Sequence, residues 1–170
     1  MVTDADDGQR IGIKLAPYNP TNPEAVVMAL SLLALGENEV LYDLGCGDGR
    51  FMVEAVKANA TVRAVGVEYD SRLCDRATAN VSHSLDPAQS VRCAVVNDNV
   101  LNVDLSDATA VFVYLVPEGM KALREMLVSL LGRGARVVTY VFSVPGLTPQ
   151  NVLVYKGSTK LYLYTKDSVT

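Results

Sequence analysis

The chain has 170 residues, with 15 Lys plus Arg against 19 Asp plus Glu, one His, three Cys and no Trp. That length fits one domain. A 49% hydrophobic content against 20% charged residues excludes wholesale disorder, and three cysteines exclude a disulfide scaffold. The net charge of −4 argues against a domain built mainly to grip phosphates, and the chain carries no strong nucleic-acid signal.

Residues 1–15 read as a flexible acidic tail and residues 16–170 as a single domain. The opening MVTDADDGQR resembles neither a signal peptide nor an Arg-rich transit peptide. No apolar stretch is long enough to span a bilayer. A cytoplasmic location is the expectation.

Thr21-Asn22-Pro23-Glu24 has the form of a capping box, with Thr21 as N-cap and Glu24 reaching back. The helix it opens should run to about Ala34, with Gly36 ending it. Val40 to Leu44 is a short apolar strand. A Gly-rich turn over residues 45–49 leads into a helix from Arg50 to about Asn59. Thr61 to Glu68 is a second strand. Leu73, Ala77, Val81 and Leu85 recur every four residues, which predicts a helix from Ser71 to Leu85. Val91 to Val96 and Ala108 to Val116 are the third and fourth strands. The fourth is almost continuously apolar, as a central strand should be. Pro117-Glu118 starts a helix with Met120, Leu123, Leu127, Leu130 and Leu131 on its apolar face and Gly132 as C-cap candidate. Ala135 to Phe142 is a fifth strand. After a Pro- and Gly-rich loop, Asn151 to Tyr155 and Lys160 to Thr165 form a hairpin. Strands alternating with helices predict an α/β fold around a mostly parallel sheet.

The central motif is Asp43-Leu44-Gly45-Cys46-Gly47-Asp48-Gly49-Arg50. A strand enters a turn whose glycines let a ligand approach the backbone, and a helix opens behind it with free N–H groups. The second strand ends at Glu68, where a carboxylate can accept from ribose hydroxyls. A dinucleotide fold wants G-x-G-x-x-G, but this chain has G-x-G-x-G preceded by Asp43, which would repel a pyrophosphate and suits an ammonium. After the third strand, Asp98 or Asn99 can accept from an adenine amino group, and either can equally serve an exposed turn.

These residues resemble the first motif of the class I S-adenosylmethionine-dependent methyltransferases. The resemblance implies a Rossmann-like three-layer sandwich with a seven-stranded sheet and a C-terminal antiparallel hairpin. It implies S-adenosyl-L-methionine as cofactor and S-adenosyl-L-homocysteine as product. It assigns Thr21, Asp43, Gly45, Cys46, Gly47, Asp48, Gly49, Glu68, Tyr69, Asp98, Asn99, Val100 and Tyr114 to the cofactor. Ala16 to Thr21, Leu105 to Pro117 and Gly134 to Val138 narrow it further. They are similar to the small protein-lysine methyltransferases that act on the mitochondrial adenine nucleotide translocase and the ATP synthase c subunit, and to their prokaryotic relatives. A protein substrate is then implied. Tyr18 and Tyr114 become the candidate catalytic walls, since an aromatic face stabilises an ammonium.

Other chemistry finds little support. The lone His83 falls mid-helix, which disfavours a Ser-His-Asp or Cys-His nucleophile. Cys46, Cys74 and Cys93 lack metal-ligand spacing, though Cys46 in the glycine loop leaves a reactive thiol open. No Walker-type Gly-Lys-Ser/Thr follows the loop. Glu118 reads as a general base or as a first-turn acid facing the helix dipole. RNA or small-molecule methylation and nicotinamide-dependent oxidoreduction are the alternatives.

Overall fold

A computed structural model describes residues 18–169. The acidic tail expected over residues 1–15 lies outside the described residues, as do Ala16 and Pro17.

Five parallel strands form one continuous sheet with an antiparallel pair. They are β1 (Val40–Leu44), β2 (Arg63–Glu68), β3 (Cys93–Asn97), β4 (Ala110–Val113) and β5 (Arg136–Tyr140), with β6 (Asn151–Lys156) and β7 (Thr159–Tyr164) as the hairpin. The order across the sheet is β3-β2-β1-β4-β5-β7-β6. The chain works outward from β1 to β3, then crosses back to lay β4 on the other side of β1. That reversal leaves a crevice outside the carboxyl ends of β1 and β4, where ligands of open α/β sheets bind.

Helices cover both faces, as a parallel sheet requires. On one side lie α1 (Pro23–Leu33), α2 (Arg50–Ala58) and α3 (Ser71–Ser84), and on the other α5 (Pro117–Gly132). Leu123, Leu127 and Leu131 of α5 are fully buried against Val111, Val113 and Val137. Each large aliphatic side chain so buried contributes roughly 1.5–3 kcal/mol. Among the described residues no helix is long and apolar enough to cross a membrane.

Several boundaries differ from the sequence reading. Asn22, not Thr21, caps α1, its side chain accepting from Glu24 N at 3.0 Å. Pro23 decides this, because proline is preorganised for the first helical position. Thr21 is buried instead. Ala34 in a left-handed conformation, rather than Gly36, ends the helix. A short helix, α4 (Pro87–Ser90), precedes β3, opened by a capping box between Asp86 and Gln89. β4 stops at Val113, so Tyr114, Leu115 and Val116 leave the sheet just where β1 turns into the glycine loop.

The Ser106-to-Thr109 segment lies away from the crevice. Thr109 Oγ1 accepts from Val40 N at 3.0 Å at the start of β1, and Asp107 accepts from Tyr42 Oη at 2.8 Å. Burial, then Asp107, pushes the Tyr42 phenol up to about 12.

Candidate active site

The glycine loop hangs from the end of β2. Gly45 N and Cys46 N both donate to Val67 O, at 2.8 and 3.0 Å. Gly45, Gly47 and Gly49 all have positive φ, at 80°, 55° and 75°, which explains three glycines in five positions. Gly49 caps α2, and a Cβ on it would lie 3.2 Å from Ala77 Cβ of α3.

Glu68 Oε2 accepts from Gly47 N, and Glu68 Oε1 accepts from Asp70 N, both at 2.9 Å. Asn97 Nδ2 donates to the carbonyls of Glu68 and Tyr69, fixing the turn after β2. Asp43 is only 3% exposed, and its carboxylate has no hydrogen bond among the described residues. Burial, with Glu68 and Asp48 nearby, pushes its pKa up to about 8. Burial also raises the Cys46 thiol, with Asp43 and Glu68 adding to the rise. The thiol is therefore inert, and the reactive-thiol reading lapses.

Arg50 grips Asp48 through two bonds of 3.0 and 2.7 Å. Burial opposes ionisation of Asp48, but Arg50 outweighs it and holds the carboxyl below its ordinary value. Arg50 Nη1 also donates to Thr21 O at 3.3 Å.

These groups surround a cleft of about 940 Å3 including its open mouth. The Phe51 and Phe112 rings stack beneath it with centroids 3.9 Å apart. Tyr18 lies against the loop: a Cβ on Gly47 would sit 2.9 Å from Tyr18 Cε2. The Arg76 guanidinium covers the Tyr18 ring at 5.2 Å. Tyr114 stands at the end of β4, its ring edge-on to Tyr140 at 4.8 Å and its hydroxyl accepting from Asn19 Nδ2 at 2.8 Å. Tyr140 leads into a γ-turn with Val141 at φ 70°, where Phe142 N donates to Tyr140 O.

Of the expected residues, Tyr18, Thr21, Asp43, Gly45, Cys46, Gly47, Asp48, Glu68, Tyr69, Asn99, Val100 and Tyr114 line the cleft. Gly49 and Asp98 do not. Asp98 Oδ1 instead accepts from Asn99 N and Asn102 Nδ2. Asn99 Oδ1 caps a short turn by accepting from Leu101 N. The sequence reading missed Asn19, Arg50, Phe51, Leu73, Phe112 and Leu115, which also line the cleft. Asn19 lay within the Pro-Tyr-Asn-Pro-Thr segment already singled out, but nothing local distinguished it. Glu118 is exposed and His83 lies on the solvent side of α3. Among the described residues no group of His, Cys, Asp or Glu is placed to hold a metal.

The ANTKMT methyltransferase domain model matches residues 43–151, more than half of the chain. A protein-lysine N-methyltransferase of Saccharolobus islandicus is 34% identical over 151 residues, spanning 87% of this chain and 92% of its own length. The adenine nucleotide translocase lysine N-methyltransferase of Mus musculus is 30% identical over 92% of this chain, which spans 66% of the mouse protein. A crystal structure from Salinibacter ruber, described as an RNA methyltransferase with S-adenosyl-L-homocysteine, superposes with a TM-score of 0.80. It is 31% identical, over 86% of this chain and 93% of that one. A precorrin-6y C5,15-methyltransferase of Geobacter metallireducens shares the fold at a TM-score of 0.64 and 16% identity, over 89% and 90% of the two chains. The chain belongs to the family of the ANTKMT methyltransferase domain and is a class I, S-adenosylmethionine-dependent methyltransferase.

Proposed function

We propose that this chain transfers the methyl group of S-adenosyl-L-methionine to a protein lysine amine. The observation that carries the site assignment is Asp43, a buried carboxyl group with no hydrogen-bond partner among the described residues, which ionises readily only beside a cation and faces the cleft beside a glycine loop. Such a group calls for a cation. A nucleoside bearing a sulfonium and an ammonium fits it.

In this reading Asp43 takes the ammonium or a water beside the sulfonium, and Glu68 takes the ribose hydroxyls. Asn99 Oδ1 and the Val100 N–H face the adenine, since Asn99 rather than Asp98 lines the cleft. Gly45, Cys46, Gly47, Asp48, Thr21 and Tyr69 form the walls, and Gly49 supports them from behind. Tyr18, packed on Gly47, belongs to the cofactor side. Tyr114 belongs to the acceptor side.

The cofactor, when bound, supplies an activated methyl: the amine lone pair forms the N–C bond, the S–C pair returns to sulfur, and the product ammonium gives its proton to water. The protein's part is alignment and exclusion of water. A lysine must arrive neutral, against a reference pKa of about 10.4. Removal from water and a nearby positive charge favour the neutral amine.

The lysine assignment leans on the two lysine methyltransferases that align along most of this chain. The Salinibacter ruber protein supports a second reading, RNA. A net charge of −4 weighs against it. Labelled cofactor added to a lysate of the cell of origin separates the two. Label on lysine Nε, removed by protease, is expected. Label removed only by nuclease would overturn the lysine reading.

A further inference from the structure

We propose that Asn19 is a positioning residue that sets the Tyr114 hydroxyl for the methyl acceptor, so that residues 18–21 tie acceptor placement to cofactor binding. The inference rests on the methyl-transfer reading above and adds a residue to it.

Three neighbouring residues of one segment reach three different parts of the cleft. The Tyr18 ring lies on Gly47 of the cofactor loop. The Thr21 carbonyl takes Arg50 at the start of α2. Between them, Asn19 Nδ2 donates to Tyr114 Oη at 2.8 Å, joining residues 95 positions apart. Asn19 has no part in capping α1, which Asn22 performs. An exposed amide–phenol bond adds little to stability, so its value lies in where it puts the phenol.

The edge contact with Tyr140 fixes the Tyr114 ring but not the direction of its hydroxyl hydrogen. Asn19 does that. A phenol offers one donor and acceptor lone pairs, and the Asn19 N–H takes up one lone pair from the side of residues 18–21. Tyr114 lines the cleft, so its remaining lone pair is left for a group bound there. A neutral amine attacks with its own lone pair while its N–H groups need acceptors. An N–H held by Tyr114 Oη turns the nitrogen lone pair toward the methyl. Tyr18 lines the same cleft, so a cofactor bound against its ring would act on the segment that carries Asn19.

The test compares wild type, Asn19→Ala, Tyr114→Phe and the double variant. Single-turnover transfer from labelled S-adenosyl-L-methionine is measured on the protein that the wild type labels in a lysate of the cell of origin, purified and held in excess, and S-adenosyl-L-homocysteine affinity by calorimetry. Asn19→Ala should lower the rate about ten-fold or more while affinity for the product stays within about three-fold. The double variant should be no slower than Tyr114→Phe. A wild-type rate in Asn19→Ala would overturn the proposal. So would losses that multiply in the double variant, or affinity falling in step with the rate. Mass-spectrometric location of the label in the wild-type product tests the lysine reading separately.

Discussion

Glu68 holds the amide hydrogens of Gly47 and Asp70 on its two carboxylate oxygens, each at 2.9 Å, so one side chain ties the glycine loop to the start of α3. Gln has a single carbonyl oxygen and would present an N–H group to one of those donors. Glu68→Gln should therefore weaken S-adenosyl-L-homocysteine binding by roughly 10- to 100-fold, the scale of a lost charge-assisted bond. Calorimetry reads this directly. Unchanged affinity would remove Glu68 from the cofactor site.

Asp43 makes cofactor binding depend on pH. In the free protein its carboxyl keeps its proton up to about 8. A bound cation favours the ionised form, so below that pH binding expels a proton. Affinity should rise with pH by up to about ten-fold per unit and level off above about 8. Calorimetry in buffers of different ionisation enthalpy should detect the released proton, and Asp43→Asn should abolish both release and slope. Stability of the free protein has the opposite sign. The unfolded chain releases this proton near ~3.9, so the contribution is complete below that pH and is lost as pH rises through about 8.

Gly66 sits in β2 under the loop. A Cβ there would lie 2.2 Å from Met52 Sδ and 2.6 Å from Cys46 Sγ. Both neighbours are buried, so neither has open space to move into. Gly66→Ala should cost about 1–3 kcal/mol in urea unfolding and displace Cys46 enough to weaken cofactor binding. A variant as stable as wild type would show that this part of the core yields.

Tyr42→Phe is the control for the Ser106-to-Thr109 segment. The hydroxyl bonds Asp107 and lies away from the cleft. Stability should fall by about 1 kcal/mol with cofactor affinity unchanged. In wild type, spectrophotometric titration should find a phenol, absent from Tyr42→Phe, that resists ionisation until about 12. Loss of cofactor binding in this variant would reassign the segment from scaffold to site.

What could be read from the sequence was what a single stretch of chain determines. Gly45, Gly47 and Gly49 stand where the backbone requires positive φ, and Asp43 and Glu68 follow from the strand ends that flank them. The order of helices and strands came from periodicity. Misreadings arose where two local signals competed. Thr21 and Asn22 can each cap a helix, and Pro23 settled it for Asn22. Tyr114-Leu115-Val116 has the apolar look of a strand, yet its ladder partner β1 has already turned into the loop at Gly45. The Asn19–Tyr114 bond was illegible, because the two ends of a contact 95 residues long carry no shared pattern. Asp98 and Asn99 were indistinguishable by chemistry. Only the turn after β3, which points Asp98 back at Asn102, separates them.

The two sides of the cleft are held with unequal strength. Beneath it, Phe51 and Phe112 stack between a helix and a central strand, and moving them would disturb the sheet. Across from them, residues 18–21 are held by the ring on Gly47, the amide on Tyr114 and the carbonyl on Arg50. Each such contact is worth on the order of 1 kcal/mol, so lifting this strap costs a few kcal/mol and leaves the rest of the molecule folded. One wall of the cleft can therefore yield while the floor beneath it stays in place.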